Sequence, residues 1–90
     1  LHLIIAEELY DRNFVAAHVD GFDALAEAVK AFPPDVAAER AGLDTDQLVA
    51  AARMFASGSK GCAVTGTGPE MAGNGTLTEY LVVCLNTICA

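Results

Sequence analysis

The stretch Gly61-Cys62-Ala63-Val64-Thr65-Gly66-Thr67-Gly68-Pro69-Glu70-Met71-Ala72-Gly73-Asn74-Gly75, running on into Thr76-Leu77-Thr78-Glu79-Tyr80-Leu81, decides how this 90-residue chain is read. Its opening is short and apolar, which predicts a strand near 61–65. Glycines at 66, 68, 73 and 75 then predict a bare loop, free to take positive φ and with N–H groups uncovered by side chains. Thr76 and Glu79 stand at capping-box spacing and predict the start of a long helix. A strand, an open loop and a helix N-terminus together suit anionic ligand groups. The spacing matches no standard fingerprint. Met71 stands where a dinucleotide motif needs its third glycine, and no Lys follows the last glycine as a P-loop requires. A glycine-rich connection without a ligand is the plain alternative.

Working outward, residues 1 to about 10 carry apolar positions at 1, 4, 5 and 9 and predict the last turns of an amphipathic helix, ended by Asp11-Arg12-Asn13. Residues 14–19 are short and apolar, and both a helical turn and an irregular segment fit them. Asp20 predicts the N-cap of a helix through Phe22, Leu25, Ala26, Val29 and Phe32, stopped by Pro33-Pro34. A short helix from Pro34 ends at Gly42, and Asp44 with Gln47 caps another that carries Leu48, Ala51, Ala52 and Phe55 on one face. The helix from Thr76 is apolar nearly all round and needs cover on several sides. One strand cannot form a sheet. The chain also opens without Met inside one apolar pattern and closes at Ile88-Cys89-Ala90 inside another. The expectation is therefore a fragment, its missing partners supplied by further sequence or by a second copy.

Composition narrows the class. Hydrophobic residues make up 53% of the chain, which excludes disorder. The net charge of −7, with five Lys and Arg, weighs against nucleic acid and anionic membrane surfaces as partners. No apolar run is long enough to predict membrane insertion. Cys62, Cys84 and Cys89 fall in apolar segments without metal-ligand spacing and read as buried thiols.

The succession of elements resembles the molybdopterin-dependent oxidoreductases related to dimethyl sulfoxide reductase, formate dehydrogenase and nitrate reductase. The resemblance is carried by Leu3-Ile4-Ile5-Ala6-Glu7-Glu8-Leu9, Tyr10-Asp11-Arg12-Asn13-Phe14-Val15, and His18-Val19-Asp20-Gly21-Phe22-Asp23-Ala24-Leu25. Pro33-Pro34, Ala41-Gly42, the helix from Leu48 to Ala56, Gly66-Thr67-Gly68 and Leu85-Asn86-Thr87 complete it, so that it extends over essentially all 90 residues. It implies that residues 1–90 are a single α-rich fragment of a Rossmann-like α/β cofactor-binding domain, with four or five helices and one short strand near 61–65. The parent would carry bis(molybdopterin guanine dinucleotide) with Mo or W. Gly66, Thr67, Gly68, Pro69, Glu70 and Met71 are implied to line the pterin cleft. None of the three cysteines matches the family's cluster or metal ligands, so no metal, no cofactor and no activity are expected of the isolated fragment. Its expected partner is the rest of the parent oxidoreductase chain.

Read as residues, His18 and His2 lack the neighbours of an acid–base group and are structural or surface positions. Glu70 either hydrogen-bonds a ligand N–H or faces solvent. Met54 and Met71 read as gap-fillers. The Thr67 hydroxyl, between two glycines, can reach a ligand without obstruction. A reading from a different class is a small helical interaction module, dimerising through the apolar helix 76–90 without any cofactor.

Overall fold

The computed structural model describes residues 1–59 and 61–90, and the regular secondary structure of these residues is all helix. Among these residues seven helices follow one another: α1 His2–Ala6, α2 Arg12–His18, α3 Phe22–Val29, α4 Pro34–Ala41, α5 Thr45–Ser57, α6 Thr67–Glu70 and α7 Gly75–Ile88. Among the described residues there is no strand, so neither the α/β, Rossmann-like class nor the strand expected at 61–65 holds. The physical reason lies in what surrounds the segment. A strand is stable only when its N–H and C=O groups meet a partner ladder, and no second β-type run lies beside 61–66. The carboxamide of Asn86 satisfies Ala63 instead, as described below.

The helix boundaries follow local chemistry. Asp11 accepts the Phe14 N–H at 2.9 Å and so starts α2, settling residues 14–19 as helix. Asp44 accepts the Gln47 N–H at 3.0 Å and starts α5 as expected. At α3 the cap is Gly21 rather than Asp20, because the chain turns there at φ 78°, a left-handed value that suits glycine. Pro33-Pro34 separates α3 from α4, with Pro34 in the first turn. The end of α4 is a Schellman turn: Gly42 takes φ 68°, and the Leu43 N–H reaches back to the Ala38 carbonyl at 2.9 Å.

The helix expected to run to about residue 10 ends four residues earlier by the same device. Glu8 holds φ 55°, its N–H bonds Ile5, and the Leu9 N–H bonds Ile4 at 2.8 Å. A non-glycine residue occupies the left-handed position there. An ion pair from Glu8 to Arg12 in the first turn of α2 spans the corner.

The core is small. Ile4 of α1, Val15 of α2 and Ile88 of α7 form its buried centre, ringed by Ile5, Tyr10, Phe22, Leu25, Phe55 and Leu85. Tyr10 and Phe22 pack with ring centroids 4.7 Å apart. The Asp11 N–H donates to the Ile88 carbonyl at 2.8 Å, joining the start of α2 to the end of α7. On the opposite side, Arg53 of α5 holds Glu7 bidentately at 2.6 and 2.9 Å. His2 Nδ1 lies 2.9 Å from the Val29 carbonyl oxygen and ties α1 to the end of α3.

Candidate functional site

Residues 66–71 form a protruding corner between the irregular segment 61–65 and α7, and every one of them is exposed. The expected bare loop is in fact one turn of helix. Gly66 is its N-cap at φ −156°, an extended value open to any residue, and Thr67, Gly68, Pro69 and Glu70 make up α6. The Glu70 N–H closes the turn on the Gly66 carbonyl at 3.2 Å and the Met71 N–H on Thr67 at 3.0 Å. Pro69 has no N–H to lose, which suits it to the first turn. The Thr67 and Gly68 N–H groups stand where a helix offers no internal acceptor, and no side chain caps them.

The freedom to take positive φ is not used at 66, 68, 73 or 75; among the described glycines only Gly21 and Gly42 adopt it. Gly75 is glycine for another reason. A Cβ built there would stand 2.1 Å from the Glu70 carbonyl oxygen, because α7 begins pressed against the end of α6. Gly66, Gly68 and Gly73, by contrast, face open space. Nothing inside the described chain requires those three to lack a side chain.

The capping box expected from Thr76 and Glu79 also does not form. α7 starts one residue earlier, with Asn74 as an N-cap that makes no side-chain bond. Glu79 is engaged elsewhere, accepting the Thr65 hydroxyl. Glu70 Oε1 lies 3.5 Å from the same hydroxyl, so two carboxylates converge beside the corner. No Lys or Arg occurs between Gly61 and Ala90, so this part of the chain brings no cation to them.

The remaining singled-out residues fall outside this corner. His18 ends α2, exposed, its ring 5.0 Å from that of Phe14. Met54 and Met71 are 73% and 81% exposed and fill no gap. Of the cysteines read as buried, Cys62 is exposed and Cys84 and Cys89 are half-buried; all three are free thiols. Burial pushes the Cys89 thiol above its ordinary value. Among the described residues, no three His, Cys, Asp or Glu side chains converge as a metal site would need. No helix there is long and apolar enough to cross a membrane.

Two residues that hold the corner were given other roles, or none, in the sequence reading. Asn86 Oδ1 accepts the Ala63 N–H and Asn86 Nδ2 donates to the Ala63 carbonyl, both at 2.8 Å. Glu79 is the other. The available signal was their setting, polar side chains in an otherwise apolar helix.

No family model matches the chain, and no solved structure does. Curated proteins do. Over 88 residues, 98% of this chain, it is 27% identical to the probable oxidoreductase YoaE of Bacillus subtilis. Over 67 residues, 74% of the chain, it is 33% identical to formate dehydrogenase H of Escherichia coli. Over 56 residues, 62% of the chain, it is 41% identical to the thiosulfate reductase molybdopterin-containing subunit PhsA of Salmonella typhimurium. The chain belongs to the molybdopterin-dependent oxidoreductase family. It spans only 7–13% of the length of these three relatives. At the corner 66–71 the uncapped Thr67 and Gly68 N–H groups and the Glu70 carboxylate lie among exposed residues.

Proposed function

We propose that these 90 residues are one segment of the catalytic chain of a molybdopterin-dependent oxidoreductase, and that residues 66–71 line its molybdopterin guanine dinucleotide cleft. The observation that carries this reading is the corner itself: it is fully exposed, and Gly66 and Gly68 are bare with no reason among the described residues to be so. A flat ligand approaching the backbone supplies that reason.

The residues present suit the heterocyclic parts of such a group better than its phosphates. The Thr67 and Gly68 N–H groups and the Thr67 hydroxyl offer donors, while Glu70 offers an acceptor for pterin or guanine N–H edges. Phosphate charge finds no cation in residues 61–90 and is met from elsewhere in the parent. When bound, the cofactor supplies two-electron redox chemistry at molybdenum or tungsten, and this segment contributes position and hydrogen bonds. Alone it is inactive on this reading.

The exposed apolar residues of α7, Leu77, Tyr80 and Val83, favour a second reading, a helical docking module. The relationship to much longer oxidoreductases supports cover by the rest of the parent chain over a second copy. The test is Gly68→Val in the parent protein. Its Cβ meets open space, so folding is preserved, while pterin and metal content per protein falls. Full molybdenum or tungsten occupancy in that variant refutes the cleft assignment.

A further inference from the structure

Segment 61–66 has almost nothing apolar to hold it in place. Val64 is 83% exposed and Cys62 is exposed. Gly61 lies against the Phe55 ring at one end, but beyond it the segment is fixed by polar contacts with α7. The Asn86 carboxamide accepts from the N–H and donates to the C=O of one residue, Ala63, at 2.8 Å each. Those two groups of an extended residue point the same way, and a neighbouring strand would ordinarily engage both. Only one orientation of the amide satisfies both. Two turns earlier, on the same face of α7, Glu79 takes the Thr65 hydroxyl. The segment therefore runs antiparallel to α7 and delivers Gly66, the N-cap of α6, from a fixed point.

We infer that Asn86 is a positioning residue for the corner at 66–71: its carboxamide stands in for a partner strand and sets where Gly66, Thr67 and Gly68 present their backbone. The inference rests on the cleft reading for what the corner binds, and on geometry alone for the clamp. Asn86 touches no ligand itself. It acts through Ala63 and the two residues that follow.

The experiment uses the parent protein with three variants, Asn86→Leu, Asn86→Asp and Gly68→Val, read by hydrogen exchange over 61–66 and by pterin and metal content. Asn86→Leu removes both bonds. It is expected to lose amide protection at Ala63 and to retain cofactor about tenfold more weakly, the equivalent of one or two hydrogen bonds. Asn86→Asp keeps the acceptor for the Ala63 N–H but turns a second oxygen toward the Ala63 carbonyl, so Ala63 loses less amide protection than in Asn86→Leu while cofactor retention still falls. A fold defect alone would not separate amide protection at Ala63 from cofactor retention in that way. If Asn86→Leu does not accumulate, Asn86→Asp decides, and full cofactor retention in it overturns the inference. Unchanged exchange in Asn86→Leu, or unchanged cofactor content there while Gly68→Val loses cofactor, overturns the positioning role and leaves the cleft reading standing. Full cofactor in both Asn86→Leu and Gly68→Val overturns the cleft reading, and the positioning role with it.

Discussion

Gly75 and Gly68 look alike in the sequence and differ entirely in their surroundings. An alanine at 75 drives its Cβ to 2.1 Å from the Glu70 carbonyl oxygen, backbone against backbone, with no flexible group to yield. Gly75→Ala is expected to destabilise the chain by about 2 kcal/mol, in the range of overpacking. Gly68→Ala, facing open space, stays within about 0.5 kcal/mol. Urea unfolding of the two variants checks the contrast, and equal midpoints would remove the α6–α7 contact. The sequence showed a glycine-rich corner but not which glycine was structural. That depends on how closely two helix ends approach, and spacing along the chain does not encode it. The same holds for Asn86 and Glu79, whose partners Ala63 and Thr65 are 23 and 14 residues away.

Among the elements, α1 and α5 are bridged by Glu7 and Arg53. The Arg53 hydrogen bond, helped by its charge, holds the Glu7 carboxyl below the usual carboxylate range, and desolvation of the carboxylate opposes this only in part. The folded-state value is depressed, so the pair's contribution is present above the unfolded carboxylate value and is lost as pH falls through the folded one. Both groups are open to solvent, so salt weakens the pair. Thermal unfolding of wild type and Glu7→Gln should differ at neutral pH and low salt, and converge both at acid pH and at high salt. A difference that persists in acid would point to packing of the Glu7 stem instead. The helices at 22–29, 34–41 and 45–57 were legible because caps and prolines act within a turn of where they stand. The early stop of α1 was not, since it depends on Glu8 accepting a left-handed conformation.

For the whole molecule, the accessible surface is 6136 Å². A folded monomer of this mass exposes about 5,000 Å². The excess includes Leu77, Tyr80 and Val83 on α7, more than half exposed, beside a groove of about 670 Å³ between α7 and α3. The double variant Leu77→Lys/Tyr80→Lys is therefore expected to leave the stability of the 90-residue chain within about 1 kcal/mol, since neither side chain is packed within it. On the proposed reading it destabilises the parent, where that face is covered. Circular dichroism melting of both proteins measures this, and a large loss in the 90-residue chain would place the α7 stripe inside its own core. The sequence by itself determined the helical character of most of the chain, the caps at Asp44 and Gly42, the kinship with molybdopterin oxidoreductases and the place of the exposed corner, because each is written in local spacing or in residue order. Tertiary structure decided that 61–66 is not a strand, that α7 keeps an open face and that Asn86 holds Ala63. Those outcomes turn on which distant groups satisfy a backbone N–H and C=O, and only the folded chain brings such groups together.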